Sequence, residues 1–442
     1  MIFPTWQVEI AFDDGPFAVA PVWTNITDLV SALSVTRGRS DELEPHTAGT
    51  ATVTLDNSDG RFDPQNDTGP YFGKLLFNRR IRILAAVADT SDQLRYARFG
   101  GRDLVASGET TYPIFDGYID SWPSIGDTTR DYGEVQLTAT DAFRLIAERR
   151  IETVRSFTVG HPSLGALDDA TVTIGGWPVP FDAEQTGQRA DRVLALLGVP
   201  SVLRDCDRGN TRIVADQPEG NALEYLQRLE TAEGGRFFVA ANGKFTFVER
   251  RAWSRTASSR YSQATFSDAP SAGDLTYVDG EFDTGNPARV RNVIVRGRGS
   301  RQLRAVNVSS VTIYGPLEDA ETDLLTESAA DLADHASWTL GRFATPVPQW
   351  QQLTVVSSAD PDRMLPQQLG REVGDRITVE RTAKNSGTIS ADYWIDGIAH
   401  ECSRFGELVT TWKLTAIDSR SYFTVGDATF GALDTPANVL AW

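Results

Sequence analysis

Residues 49–67, GTATVTLDNSDGRFDPQND, cluster Asp and Asn side chains around Gly60, as calcium loops do. An EF-hand loop needs an oxygen ligand at position 1, Gly at position 6 and a bidentate Glu at position 12. With Gly60 at position 6, Leu55 falls at position 1 and Asn66 at position 12, and neither can fill its role. Alternating Thr and apolar residues over 50–55 instead favour a strand that ends in an Asn-Ser-Asp-Gly turn.

The segment His400-Glu401-Cys402 is the other local group that could hold a metal. Strand alternation would place His400 and Cys402 on one face, but a zinc site needs further ligands, and Cys206 is the only other cysteine. No HExxH helix, phosphate-binding loop or nucleophile elbow is present. We therefore predict no catalytic, metal or cofactor-binding residues. Carboxylate pairs for glycoside hydrolysis stay open, because only geometry selects a pair among 60 acidic residues.

The composition is that of a globular protein of two to four domains: 442 residues, 40% hydrophobic and 23% charged. No apolar run is long enough to span a membrane, and the N-terminus lacks a secretory signal, which predicts assembly in a cytoplasm. The net charge of −18 argues against tight nucleic-acid binding but suits a surface past which DNA slides. Arginine supplies all but four of the 42 basic residues, which indicates a GC-rich host.

The elements that would position any site are mainly strands in the first 150 residues. Short alternating segments at 7–12, 34–37, 50–55, 80–84, 114–119 and 134–140 are separated by turn residues, as in a sandwich or barrel. Residues 151–285 instead show helical periodicity at 189–197 and 221–233. They continue with the hairpin pattern GRFFVAANGKFTFVER around Asn242-Gly243.

The β pattern returns after residue 285 in the same order, which predicts an internal duplication. TVTLDNSDGRF, RRIRIL, PIFDGYIDSW and EVQLTATDAF are followed later by QLTVVSSADPDRM, DRITVER, DYWIDGIAHE and VTTWKLTAIDSR. In this alignment Asp116 corresponds to Asp396 and Thr138 to Thr415. The predicted fold class is mainly β with an α+β insert: two duplicated antiparallel β-barrels flank a mixed α/β region. A helix at 322–342 is expected to pack on the second barrel.

The C-terminal segment is unusually apolar for a chain end. The candidate docking residues there are Phe423, Phe430, Leu433, Leu440 and Trp442. Because exposed large apolar groups are unfavourable in water, this segment either folds back on its own barrel or docks on a neighbouring subunit or partner. The predicted domains are therefore a first barrel at 1–150, a middle region at 151–285, a second barrel with its preceding helix at 286–420, and a docking tail at 421–442.

Residues 23–83 resemble the N-terminal region of minor tail proteins from long-tailed bacteriophages of GC-rich hosts. The resemblance rests on the motifs RGRSxEL, AGTATVxLDN, GRFDP, PYxG and RxIRI, and continues in FDGYIDSWP and VQLTATDAF. EYLQRLETAEGGRFFVAANGKFTFVERR is similar to the central part of tail hub proteins, and FTVGDATFGALD is also typical of this group.

The resemblance implies a structural virion protein of the baseplate or tail-tip hub type with two tail-tube-type barrels. It implies a homotrimer that closes the tail tube, joins six-fold tube to three-fold tip, and lets DNA pass through its lumen. The implied partners are the distal tail or tail tube protein, the tape measure protein, and tip or fibre proteins. Neither sequence-specific DNA binding nor stable membrane insertion is expected. The alternatives are a hexameric distal tail protein and a glycan-binding or glycan-hydrolysing tip module.

Overall fold

The computed structural model describes residues 4–88, 103–105, 109–122, 133–151, 156–158, 173–175, 183–215, 220–283, 285–326, 328–358, 360–383, 387–403, 407–417, 421–422 and 438–439. A sheet of 15 strands, antiparallel apart from the β18 pairings, dominates these residues, and a smaller α/β region packs beside it. The predicted fold class, mainly β with an α+β insert, is confirmed. No described helix has the length and apolarity that crossing a membrane requires.

The first part of the chain forms strands because its apolar residues alternate, as β4 and β8 show with every second residue buried. Asp141 ends β8 rather than capping the next helix, and its carboxylate accepts the backbone N–H groups of Phe143 and Gly49. The elements are β1 Thr5–Ala11, β2 Thr24–Asn25, β3 Val30–Gly38, β4 Thr50–Asp56, β5 Arg80–Ala88, β6 Asp103–Val105, β7 Glu109–Ser121, β8 Glu134–Asp141 and α1 Phe143–Ala147.

The middle region contains the predicted helices and hairpin. Asn221 caps α3 by accepting the N–H groups of Leu223 and Glu224, and Asn242-Gly243 lies in the loop between β16 and β17. The elements are β9 Arg150–Ile151, β10 Ser156–Thr158, β11 Thr173–Gly175, β12 Glu184–Gln185, α2 Thr186–Leu196, β13 Arg204–Cys206, β14 Arg212–Ile213, β15 Gly220–Asn221, α3 Ala222–Glu233, β16 Arg236–Val239, β17 Phe245–Val248, α4 Ala252–Arg255 and α5 Ala257–Arg260.

The last part combines strands of the large sheet with a separate three-stranded sheet. Helix α7, expected on the second barrel, packs instead on β21 and β22 of that small sheet. The elements are β18 Thr265–Ser267, β19 Leu275–Thr276, β20 Asp279–Asp283, β21 Val293–Arg298, β22 Arg301–Val306, α6 Val308–Tyr314, β23 Glu318–Glu321, α7 Ala329–Phe343, β24 Gln349–Val356, α8 Pro361–Gly370, β25 Arg376–Ala383, β26 Gly387–Ser403, β27 Val409–Ala416, β28 Ser421–Tyr422 and β29 Asn438–Val439.

The strand order of the large sheet contains the same five-strand unit twice. One unit runs β3-β4-β8-β7-β5 and the other β20-β24-β27-β26-β25, with every neighbouring pair antiparallel. Chain order maps onto space identically in both: β4, β5, β7 and β8 correspond to β24, β25, β26 and β27. Identical order over five strands supports the internal duplication that the sequence indicated.

The register of the two units corrects the sequence alignment of the repeat. The β7–β8 ladder of the first unit shifts register between Ile119 and Ser121, and the equivalent β26–β27 ladder of the second unit shifts between Ile395 and Gly397. Asp396 therefore corresponds to Asp120, not to Asp116. Polar contacts follow this register, because Thr140 donates to Asp120 as Thr415 donates to Asp396. Likewise, the Arg80–Asp116 ion pair has its counterpart in Arg376–Asp392.

The two units share one continuous ladder rather than forming two separate closed barrels. Strand β3 of the first unit pairs with β26 of the second over seven residue pairs, from Gly38 with Gly397 to Ala32 with Ser403. The described strands do not close either unit into a full ring. Each unit has its own apolar core, centred on residues such as Ile83 and Phe115 in the first and Trp412 and Val379 in the second.

The domain division stays a prediction, but strand membership shows where the second unit begins in space. Strands β18, β19 and β20 lie within the predicted middle region, yet β18 pairs with β25 and β20 with β24. The small sheet and helices α6 and α7 are then inserted between β20 and β24. The middle region has a third apolar core, which includes Leu226 and Phe237.

Candidate functional site

The acidic loop after β4 is a series of turns held by its own side chains. Asn57 Oδ1 accepts the N–H of Phe62 at 2.8 Å, and Asn66 Nδ2 donates to the carbonyl of Gly60 at 2.9 Å. Gly60 has a φ of 72°, which a residue with a Cβ rarely adopts. The predicted turn is confirmed. No group of three or more His, Cys, Asp and Glu residues in the described part of the chain could hold a metal.

The His400–Cys402 segment lies where the two units of the large sheet meet. His400 is buried, and its Nδ1 lies 3.0 Å from the hydroxyl of Thr410 on the neighbouring strand. Burial, helped by the charge of Arg37, lowers the pKa of His400 to about 3, so the imidazole is neutral. Cys402 packs against the core of the first unit. This segment contributes to the joint between the units.

The candidate docking residues of the C-terminal segment lie outside the residues that the structure describes. They are Phe423, Phe430, Leu433, Leu440 and Trp442. The candidate site within the described residues is instead the polar contact between the first unit, the middle region and the second unit, which we call the junction.

Asp396 is the centre of the junction. Its carboxylate lies 3.3 Å from Arg39 of the first unit and 3.4 Å from Arg236 of the middle region, and accepts the Thr415 hydroxyl at 2.5 Å. Burial alone would raise the pKa of this carboxyl, but the two guanidinium groups outweigh burial and hold its pKa well below the usual range. One buried carboxylate thus bonds residues from three distant parts of the chain.

A β-bulge at Asp396 and a glycine at position 38 bring strands β3 and β26 close enough for the contact between Arg39 and Asp396. As the extra residue of a bulge, Asp396 is unpaired in the ladder with β27, and its carbonyl accepts the N–H of Arg39. Gly38 has a φ of 93°, and a Cβ there would lie 2.3 Å from the Asp396 carbonyl oxygen. A side chain at position 38 would therefore separate β3 from β26 and pull Arg39 away from Asp396.

A second contact joins the same three parts through carboxylates. Glu372, before β25, accepts from Arg37 of β3 at 2.7 Å and from the N–H of Ala241 in the middle hairpin at 3.1 Å. Nearby, the His46 ring lies 2.7 Å from Glu230 of α3. Burial lowers the pKa of His46, so we assign it as a neutral donor to the carboxylate. The halves of the large sheet and the middle region are thereby fixed relative to one another.

A cleft of about 330 Å³ opens beside the junction, between the loop after β3, the middle region and the small sheet. Acidic and basic groups both line it, so the lining carries no single strong charge that would select one class of ion. Charged and aromatic lining residues include Arg39, Glu42, Glu230, Arg236, Arg296 and Trp338.

His335 closes one wall of this cleft. Its Nδ1 accepts from Arg296 Nε at 3.0 Å and its Nε2–H donates to the Thr231 carbonyl at 3.0 Å, which connects α7, β21 and α3. Burial, and then the charge of Arg296, lower the pKa of His335 to about 4. Accepting at Nδ1 while donating at Nε2 requires the neutral imidazole with its proton on Nε2.

His335 should make stability depend on pH between about 4 and 6.5. In that window the unfolded chain binds a proton at this position and the folded chain does not, so folding free energy is lost as pH falls. Between pH 7 and pH 5 the loss due to His335 is about 2 kcal/mol. Urea titrations at pH 7 and pH 5 measure this loss. The free energy of unfolding of the His335→Gln variant should fall by about 2 kcal/mol less than that of the wild type between these two pH values. Equal losses in both chains would contradict the assignment.

Comparison with known proteins rests on structure alone, since no protein-family model matches this chain and no curated protein is similar enough in sequence to be matched. A tail protein from Neisseria meningitidis MC58 superposes with a TM-score of 0.54 at 10% identity, over 94% of this chain and 97% of that one. The 43 kDa tail protein of prophage MuSo2 from Shewanella oneidensis gives a TM-score of 0.53 at 11% identity, over 92% and 98%.

The chain has the fold of these two tail proteins. The resemblance to phage tail proteins that the N-terminal motifs indicated is therefore confirmed at the level of fold. Both matches cover nearly the whole of each chain, so the shared fold includes both units of the large sheet and the region between them. At this level of identity the likeness extends to architecture and not to individual residues.

Proposed function

We propose that this protein is a structural component of a phage tail: a trimeric tail-tip or baseplate hub that closes the tail tube. The observation that carries the proposal is the duplicated five-strand unit within a fold that two tail proteins share over nearly their whole length. In this proposal the chain is assembled in the host cytoplasm and acts in the virion, and it needs no catalytic residue.

The duplication accounts for a change of symmetry along the tail. A trimer of chains with two similar units each presents six similar units in a ring, although its true symmetry is three-fold. Such a ring can meet a six-fold tube on one side and a three-fold tip on the other. The junction supports this role, because Asp396 and Glu372 fix the two units of each chain relative to each other.

The ring would surround a channel through which DNA leaves the virion. A net charge of −18 is compatible with a channel wall that repels phosphate, so that DNA slides without binding. The proposed neighbours are the tail tube or distal tail protein above, the tape measure protein in the tube, and tip or fibre proteins below. The C-terminal segment, with Phe423 and Trp442 among its apolar residues, is proposed to dock on a neighbouring subunit.

The mass of the purified chain over a range of concentrations tests this proposal. Three chains of 48.4 kDa give a particle of about 145 kDa, which native mass spectrometry resolves from a monomer and from a hexamer. A hexamer would indicate a distal tail protein, and a monomer at every concentration would contradict the trimeric hub. A chain that ends at Arg420 should assemble less well if the C-terminal segment docks on a neighbour, and equally well if it folds back.

A further inference from the structure

The small sheet, β22-β21-β23, has two strands with an unpaired edge in the described part of the chain. Strand β22 pairs only with β21 in an antiparallel ladder, and β23 pairs only with β21 in a parallel one. An unpaired edge presents free N–H and C=O groups to another strand, and proteins usually block such edges or use them. Both edge strands are short and half exposed along their length.

The two edge strands carry opposite charges at the same spacing. On β22, Arg301 and Arg304 are three residues apart, and on β23, Glu318 and Glu321 are also three residues apart. Arg301, Arg304 and Glu318 are exposed, and Glu321 is half-buried at the rim of the cleft. None of the four makes an ion pair or side-chain hydrogen bond with any described residue, so their charges are available to another molecule.

The faces of the sheet also match. Arg296 points toward α7, where it contacts His335, and Glu321 lies directly beside Arg296 in the ladder. Arg301 is in register with Arg298, two residues beyond Arg296, so Arg301 and Glu321 share the face toward α7. By the same alternation, Arg304 and Glu318 share the opposite face. Asp319, also on β23, is already paired with Arg296. Each edge therefore offers one charge on each face that has no ion pair with a described residue, with opposite signs on the two strands.

We propose that β22 of one copy pairs with β23 of the next copy. This contact rests on the proposed homotrimer and names a surface that would hold it. If α7 lies on the same face of the joined sheet in every copy, β22 of one copy and β23 of the next run antiparallel. Arg301 then faces Glu321 of the next copy, and Arg304 faces Glu318 of the next copy. The contact joins two different edges, so rotational symmetry can close it into a ring.

A second copy of this chain fits these edges better than a nucleic acid does. Nucleic acid would contact the arginines but would be repelled by the glutamates and by the net charge of −18. By contrast, β22 and β23 of the same chain complement each other. Their charges have opposite signs, the same three-residue spacing and matching faces of the sheet. Pairing of a six-residue strand with a four-residue strand is a small contact, so it adds to association through the large sheets.

Cysteine cross-linking tests the register directly. In the proposed pairing Gln302 lies opposite Ala320 of the next copy, and both residues are exposed. Within one chain they lie on either side of β21, about 10 Å apart by strand spacing, which exceeds the reach of a disulfide. Oxidation of the Gln302→Cys/Ala320→Cys chain should give covalent dimers and trimers on a non-reducing gel. Either single variant, or the wild type with Cys206 and Cys402, should give neither.

Charge reversal is the second measurement. Arg301→Glu/Arg304→Glu should raise the concentration at which half the chains assemble by about tenfold, because two attractive cross-strand pairs become repulsive. Adding Glu318→Arg and Glu321→Arg to the same chain should restore assembly. A wild-type trimer in which neither cross-linking nor rescue occurs would overturn the edge contact and leave the trimeric hub standing. A chain that stays monomeric at every concentration would overturn both.

Discussion

Replacing Asp396 with asparagine is expected to lower the free energy of unfolding by about 3 to 5 kcal/mol. The carboxylate is buried and balances Arg39 and Arg236, which are themselves largely buried. Asparagine keeps the size of the side chain but removes its charge, so two guanidinium groups would remain in a poorly solvated place without their carboxylate. Removing one partner of a buried ion pair costs more than the pair contributes, because the remaining charge stays desolvated. Denaturant unfolding followed by tryptophan fluorescence measures the loss.

The matched control is Asp120→Asn, at the equivalent position of the first unit. Asp120 makes the same contact with a threonine and, among the described residues, pairs with Arg144 alone, but its side chain is 25% exposed. Water can solvate the partner that remains, so we expect a loss below about 1 kcal/mol. The Asp396 effect should persist down to a pH of about 4 and shrink below it, where the carboxyl of the unfolded chain binds its proton. Equal losses in the two variants would show that the junction does not depend on this charge.

The local elements of this fold could be predicted because their signals lie within a few residues. Alternation gave the strands at 50–55 and 134–140, and the cap Asn221 gave the start of α3. The repeat was also visible, since four segments recur in the same order. The register of the repeat was not visible, because the Asp-Gly pairs at 116 and 396 resemble each other only locally and align the wrong residues. The true equivalence of Asp120 and Asp396 is set by a bulge against the neighbouring strand.

The junction itself could not be predicted, because it joins residues that are far apart along the chain. Arg39 and Asp396 are separated by 357 positions. One signal was available: Asp396 stands in an otherwise apolar strand segment, between Ile395 and Gly397, and a charge there needs a partner when the strand is buried. The sequence offers 38 arginines as partners and no means of choosing among them. The position of α7 was mispredicted for the same reason, since its apolar face fits any sheet and only the chain path selects β21 and β22.

Glu233 should be the position of the middle region at which a substitution destabilises the fold most. It ends α3 with its side chain fully buried and makes no ion pair with any described residue, yet it accepts hydrogen bonds from several directions. The donors are the Thr186 hydroxyl at 2.6 Å, the backbone N–H groups of Asn210, Thr211 and Arg250 at 2.8 to 3.2 Å, and the Asn210 side chain at 3.3 Å. These donors come from the start of α2, the loop before β14 and the segment after β17. A single carboxylate therefore holds the middle region together.

Glu233→Gln is accordingly expected to lower the free energy of unfolding by about 3 kcal/mol, although it changes the side chain by one atom. The new amide group has two N–H donors where the site already supplies donors, so at least one backbone N–H is left without an acceptor and loses a charge-assisted bond. Glu224→Gln, on the exposed side of the same helix, controls for the general effect of removing a charge from α3 and should change stability by less than about 0.5 kcal/mol. Hydrogen exchange adds a local readout, because the N–H groups of Asn210 and Thr211 should lose protection in the Glu233 variant and keep it in the Glu224 variant. Unchanged protection at both would mean that the loop before β14 is held by other contacts and that Glu233 does not organise the region.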